Sequence, residues 1–302
     1  MVQFHRVTIG DKPFVDKFVF AENSRSADFN FGNIYLWDTA YFQFLSCVGD
    51  RLLTKLKYEE LPFFAFPIGS GDLRPAIEAM EEYVAHEGYQ LRLRGVTDEH
   101  RELLESAYPG LFSFEEDRAC FDYIYLAEKL ATFSGKKLHG KRNFCNRFEK
   151  EHKWEFRRLT RGLFPTCMEM LGFWQREFDT PPDGLEEEHG AIIRALMRWD
   201  ALGLEGGVLF ADDMCVGFTV GEKISSDTFD VHFEKAYADI PGAYPMVCRE
   251  FARQILSDHP EVVYINREDD MGHENLRSAK LEYYPEFLLR KYTARITDYE
   301  RI

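Results

Sequence analysis

Two consecutive α/β domains, each built on a mixed sheet, are what this sequence predicts, and three observations predict them. The chain has 302 residues, enough for two domains of ordinary size. Hydrophobic residues make up 45% and aromatics 15%, so a large core can be buried and disorder is not expected. The third observation is a repeated order of elements. Each half reads as a strand pair across an acidic turn, a strand, a Gly-bearing loop, a helix, a strand, a short helix running into Tyr-Pro (Tyr108-Pro109 and Tyr284-Pro285), and a further strand. The expected division is an N-terminal domain over 1–132, a basic helix and linking strand over 133–160, and a C-terminal domain over 161–302.

In the first half, 18–33 is irregular and 34–37 is an apolar anchor. Residues 41–48 and 52–57 form a hairpin across Gly49-Asp50, and 62–66 is a short strand. Gly69-Ser70-Gly71 before a helix could cradle a phosphate, but a lone Gly-x-Gly is a weak signal and a plain turn is the favoured reading. A helix then covers 73–88, with Asp72 as N-cap, Pro75 in the first turn and Gly88 as stop. Residues 90–96 are a strand, 98–107 a short helix, and 112–126 an extended aromatic stretch. In the second half, 136–153 is a basic helix and 154–159 a strand. Residues 163–178 are an amphipathic helix, 179–188 a Pro/Gly/acidic loop, and 190–202 a further helix. Residues 207–211 and 214–222 form a hairpin across Asp212-Asp213.

The second half turns on 228–287. Residues 228–235 (TFDVHFEK) alternate as a half-buried strand does, with Phe229, Val231 and Phe233 on one side and Asp230, His232 and Glu234 on the other. A loop with Pro241 and Gly242 leads into a helix over 244–257, where Val247, Phe251 and Ile255 form a stripe. A strand entering a helix N-terminus through a loop is a ready anion site. Residues 262–265 are a strand, 274–283 a short helix, and 286–296 a closing strand.

The formal net charge of −15 disfavours sequence-independent binding to nucleic acid. Residues 136–161 break that rule, with ten Lys/Arg against three Glu. Such a segment is a candidate contact for phosphate, or a partner for the chain's own acidic surface. The six cysteines are scattered singly, with no metal spacing, which fits reduced thiols in the cytoplasm. No apolar run reaches the length of a membrane span, and no basic start precedes an apolar stretch.

The segments YLWDTAYF, GKKLHGKRNFCNRF, FDVHFEKAYADIPGAY and YINREDDMGHENLRSAKLEYYPEF together resemble a bacterial family grouped with the C-terminal domain of phosphatidylglycerol lysyltransferases. These are tandem GNAT (acyl-CoA N-acyltransferase-like) proteins, akin in architecture to the Fem peptidyltransferases. The resemblance covers nearly the whole chain. It implies two tandem GNAT-like domains and transfer of an acyl or aminoacyl group from an acyl-CoA thioester or an aminoacyl-tRNA ester to an amine or hydroxyl acceptor, small molecule or lipid headgroup. No tightly bound cofactor is implied. It places the pyrophosphate loop at Ala238, Gly242, Ala243 and Tyr244. The family's usual Gln/Arg-x-x-Gly-x-Gly/Ala is reduced there to one glycine, with Pro241 and Asp239 inside it. Asn275 falls in the donor-binding helix and Tyr284, beside Tyr283, near the acid tyrosine.

Acyl transfer to an amine needs a base, donors for the oxyanion and an acid for the leaving group. Glu234 is the expected base, with His232 two residues away on the same face and strand backbone amides for the oxyanion. Asp230, Asn266, Arg267 and Glu268 are candidate substrate contacts, the last three leaving a strand end. Lys141, Arg142, Asn143 and Arg147 on the basic helix could meet a CoA phosphate, a tRNA acceptor end or a lipid headgroup. Glu268-Asp269-Asp270 has no spaced partner, so no metal is expected. The alternative is a non-catalytic small-molecule-binding or regulatory protein on the same fold.

Overall fold

The computed structural model describes residues 1–58, 61–175 and 184–297. In chain order the first half holds β1 (His5–Arg6), α1 (Lys12–Glu22), α2 (Phe31–Leu36), α3 (Asp38–Tyr41), β2 (Phe44–Val48), β3 (Arg51–Tyr58), β4 (Leu61–Ala65), α4 (Arg74–His86), β5 (Arg92–Val96), α5 (Asp98–Ala107), β6 (Phe112–Glu116) and β7 (Asp122–Leu126). The second half holds α6 (Ala127–Thr132), α7 (His139–Glu151), β8 (Trp154–Arg158), α8 (Phe164–Gln175), α9 (Leu185–Met197), α10 (Trp199–Leu202), β9 (Glu205–Ala211) and β10 (Met214–Lys223). It continues through β11 (Thr228–Ala236), α11 (Ala243–Asp258), β12 (Tyr264–Asn266), α12 (Glu274–Leu281) and β13 (Phe287–Leu289) to β14 (Tyr292–Ile296).

Several elements depart from the sequence reading for local reasons. Residues 18–33 are not all irregular. α1 forms because Pro13 sits in its first turn, Val15 and Val19 bury one stripe, and Asn23 in the left-handed region stops it. α6 follows the extended stretch 112–126 and lies in a segment for which the sequence reading assigns no element. The expected loop 179–188 lies partly outside the described residues, and its last part is the acidic first turn of α9. The stretches 112–126 and 286–296 each hold two strands.

Those two breaks explain the topology. One sheet has the order β1-β2-β3-β4-β5-β14-β6 and the other β13-β7-β12-β11-β10-β9-β8. Counted from β1 and from β8 the two sheets are the same seven-strand pattern, except that the last strand of each half pairs in the other sheet. The compact units therefore interleave. One is Met1–Asp122 with Asp269–His273 and Leu289–Ile302, the other Tyr123–Glu268 with Glu274–Leu288. The linear boundaries at 132 and 160 do not follow this division, because a strand belongs to the sheet it pairs with and not to its neighbours in sequence.

Within the first unit the residue that precedes β14 is fastened by charge. Lys291, 1% exposed, holds Asp122 at 2.8 Å and Asp28 at 2.9 Å. The Gly69–Gly71 turn is filled by the chain's own groups. The Gly69 N–H donates to Glu22 Oε2 at 2.8 Å, and a Cβ on Gly69 would lie 2.1 Å from the Asp50 carbonyl oxygen. The Gly69 and Ser70 N–H groups are thus already used within the chain, by Glu22 and by the Asp50 carbonyl.

On α4, Glu81 has a buried Oε1 without a hydrogen-bond partner among the described residues. Burial, helped by Glu78, pushes it up from 4.5 to about 7. The folded chain then binds a proton that the unfolded chain has released, so stability falls as pH rises from about 4.5 to 7. Glu81→Gln is expected to flatten this slope in denaturant titrations across that range.

Candidate functional site

The strand that carries the candidate residues, β11, is buried on both faces, not half-buried. α11 covers one face, where Phe229 meets Phe251 edge-on at 5.7 Å. On the other, the Lys235 ammonium lies 4.2 Å above the Trp174 ring of α8. The polar residues of β11 are therefore buried groups that need partners.

Pairing with β10 shows which residues share a face. Thr219 pairs with Glu234 and Val220 with Phe233, but Gly221 pairs with Val231 and Glu222 with Asp230. The register skips His232, which is a β-bulge. One extra residue reverses the alternation beyond it. Glu234 thus shares a face with Val231, Phe229 and α11. Asp230 and His232 share the opposite face with Glu222. The continuous row Asp230-His232-Glu234 expected from the alternation is split in two.

On the α11 face, Glu234 Oε1 accepts from Arg267 Nη2 at 2.7 Å. The guanidinium stacks 4.6 Å from the Tyr283 ring and 5.6 Å from the Tyr125 ring. Arg267 reaches Glu234 because β11 and β12 pair only as far as Asp230 and Asn266, and Arg267 follows that last pair. Burial pushes the Glu234 carboxyl up, against the pull of Arg267, Lys280 and Lys141. Burial acts the other way on Arg267, and the Glu234 carboxylate outweighs it and holds the guanidinium charged. Arg267 Nη1 is buried and has no hydrogen-bond partner among the described residues, as is Thr219 Oγ1 on the same face as Glu234. Lys141 lies 4.3 Å above the Tyr283 ring and bonds Glu282 at 2.7 Å.

On the opposite face, His232 is enclosed by carboxylates. Nδ1 is 3.0 Å from Glu268 Oε1 and 3.4 Å from Asp230 Oδ2, and Nε2 is 3.2 Å from Glu222 Oε1. Burial would lower its proton affinity, but the bonds to Glu222 and Glu268 and the charge of Asp230 raise it well above the usual value. Both ring nitrogens of His232 therefore face carboxylates of the chain itself. Asn266 is buried, and its Oδ1 accepts from the Glu268 N–H at 2.7 Å, which shapes the loop.

Other candidates fall elsewhere. Tyr284 is 45% exposed with Lys137 over its ring, whereas Tyr283 lies in the cluster. Asn275 is exposed on α12. Arg142 donates to the carbonyls of Phe133 and Gly135, Arg147 pairs with Glu151, and Asn143 bonds His139. Of the basic helix's candidates, only Lys141 reaches the Glu234 cluster. Ala238, Gly242, Ala243 and Tyr244 lie before and at the start of α11, where amides are scarce. Pro241 and Pro245 have no N–H, and the Ala243 N–H donates to the Ile240 carbonyl. The Tyr244 hydroxyl bonds Trp174 and Ala236, and burial pushes it up.

Gly242 has φ 95°, and a Cβ there would lie 2.7 Å from the Phe144 carbonyl oxygen of α7. Gly242→Ala is expected to cost about 1–3 kcal/mol, measured by denaturant titration.

The sequence reading missed Glu222, Lys280 and Tyr125. Glu222 had a signal, an acidic residue closing an apolar strand. Lys280 and Tyr125 had none.

Comparison with known proteins places the chain. A conserved protein of unknown function from Bacteroides thetaiotaomicron VPI-5482 is 36% identical, with 98% of this chain and 100% of that one covered and a TM-score of 0.93. L-PGS from Bacillus licheniformis is 16% identical over 96% and 94%, with a TM-score of 0.66. A tandem GNAT protein from the clavulanic acid biosynthesis pathway is 9% identical over 99% of both chains, with a TM-score of 0.53. The last two likenesses are of fold, and the architecture is that of two tandem GNAT-like domains. An uncharacterised protein of Mycoplasmoides gallisepticum is 25% identical over 180 residues, and the match spans 56% of that relative's length. The model of the family described as phosphatidylglycerol lysyltransferase, C-terminal, matches residues 20–295, and the chain belongs to that family.

Proposed function

We propose that the second unit transfers an acyl or aminoacyl group from an ester or thioester donor to an amine or hydroxyl acceptor. Family membership supports this reading, and the Glu234–Arg267 pair carries it. A carboxylate made more basic by burial lies beside a guanidinium with one buried N–H group left over. In the reaction the acceptor attacks the donor carbonyl, a C–N or C–O bond forms, and the donor's C–O or C–S bond breaks. Glu234 takes the acceptor's proton and returns it to the leaving oxygen or sulfur. Arg267 Nη1 holds the carbonyl oxygen while it is negative.

An aminoacyl ester of the tRNA acceptor end fits as donor better than acyl-CoA. The loop before α11 offers few amides to a pyrophosphate, and Gly242 is pressed against α7. No helix among the described residues is long and apolar enough to cross a membrane. The second reading, a binding protein without catalysis, draws on one observation: the Glu234 carboxylate is already engaged by Arg267.

Thermal denaturation with CoA, acetyl-CoA and a non-hydrolysable 3′-aminoacylamido-adenosine tests the donor. The adenosine compound at a hundred times its Kd is expected to stabilise the fold by about 2.7 kcal/mol, and CoA is expected to have no effect. A shift with CoA alone would reverse the donor assignment.

A further inference from the structure

The opposite face of β11 has the geometry of a different site. We propose that Asp230, His232 and Glu268 bind one divalent transition-metal ion, with Glu222 orienting the histidine. The inference does not depend on the acyl-transfer reading, because this cluster and Glu234 face opposite sides of the strand.

Four observations carry it. His232 Nδ1 and one carboxylate oxygen each from Asp230 and Glu268 all lie within 4.8 Å of one another. The distances from Nδ1 are 3.0 Å to Glu268 and 3.4 Å to Asp230. Ligand atoms about 2.1 Å from one ion are separated by about 3.0 Å at adjacent octahedral positions and about 3.4 Å at tetrahedral ones. The ion can therefore enter with small side-chain movements.

The second observation is Glu222. It occupies His232 Nε2 at 3.2 Å, leaving Nδ1 for the metal. A ligating histidine regularly gives its other N–H to a carboxylate, which fixes the tautomer and the ring orientation. The third is the register: His232 lies two residues from Asp230 and shares its face with Glu222, and the bulge beyond it turns Glu234 to the other face. The fourth is backbone strain at a ligand. Glu268 has φ 54°, an uncommon conformation for glutamate, and the Asn266 side chain holds it there.

One imidazole nitrogen with two carboxylate oxygens suits Mn²⁺ or Zn²⁺ better than Mg²⁺, which favours an all-oxygen set and binds imidazole poorly. Glu268, 21% exposed, is the side of the cluster open to an entering ion. Imidazole and carboxylate ligands bind an ion in their deprotonated forms, so metal binding at such a site is coupled to proton release. It also clamps the loop that carries Arg267.

The test is titration of the full chain with MnCl₂ and, separately, ZnCl₂ by calorimetry in two buffers of different ionisation enthalpy, after chelator treatment. Expected are one ion per chain, proton release, and a higher Tm with the metal. Glu268→Gln, a near-isosteric change at a partly exposed position, is expected to abolish binding while circular dichroism stays that of the parent. Glu222→Gln is expected to weaken it by about 10–100-fold. The proposal is overturned if neither ion binds stoichiometrically, or if Glu268→Gln binds as the parent does.

Discussion

Arg267→Met is expected to lower the stability of the fold by about 3–5 kcal/mol, because it leaves Glu234 as a buried carboxylate without its guanidinium. The pair is 2.7 Å long, and both side chains are nearly buried, Arg267 at 12% exposure and Glu234 at 9%. The loss is one of partnership more than of attraction. Removing both charges should therefore restore much of it, since well-packed apolar replacements of a buried ion pair are often neutral or stabilising. The double variant Arg267→Met with Glu234→Leu is expected to regain most of the stability in urea titrations and to have no transferase activity. The packing of Arg267 against Tyr283 and Tyr125 makes methionine the right replacement, because it keeps an unbranched stem on the rings. A loss below about 1 kcal/mol in the single variant would mean that Glu234 finds solvent or another cation, and the pair would not be the buried centre described above.

Much of the architecture was legible in the sequence because periodicity and turn residues report local structure directly. The helix at Asp98–Ala107 was read to the residue, since Thr97 caps it and Tyr108-Pro109-Gly110 ends it. The hairpin across Gly49-Asp50 and the strand at Thr228–Ala236 follow from alternation and turn chemistry in the same way. What sequence could not show was pairing. That β7 joins β12 and β14 joins β5 and β6 depends on contacts over more than a hundred residues, with no local pattern marking the exchange.

The bulge at His232 was hidden for a similar reason. Alternation in the sequence continues unbroken through FDVHFE, and only the register against β10 shows that one residue is extra. The residue types of the site were therefore legible and their arrangement was not. His232 and Glu234 were both singled out, yet they serve opposite faces. The basic helix shows the converse. Its charge stood out, while the bonds of Arg142 to the Phe133 carbonyl and of Arg147 to Glu151 within the chain left no mark in the composition.

The most direct test of the central claim is the rate of transfer from an aminoacyl-tRNA carrying a labelled amino acid, compared between the parent chain and Glu234→Gln. The amide keeps the shape of the carboxylate and an oxygen for the Arg267 N–H, so the fold should survive, but it cannot take up the acceptor's proton. A positioned general base contributes typically 10²–10⁴-fold, and a fall of about that size is predicted in protein that circular dichroism shows to be folded, with a lowered urea midpoint because the Arg267 guanidinium loses its buried counter-charge. Equal rates in the two proteins would contradict the assignment of Glu234, and with it the account of this face of the sheet as the reacting site.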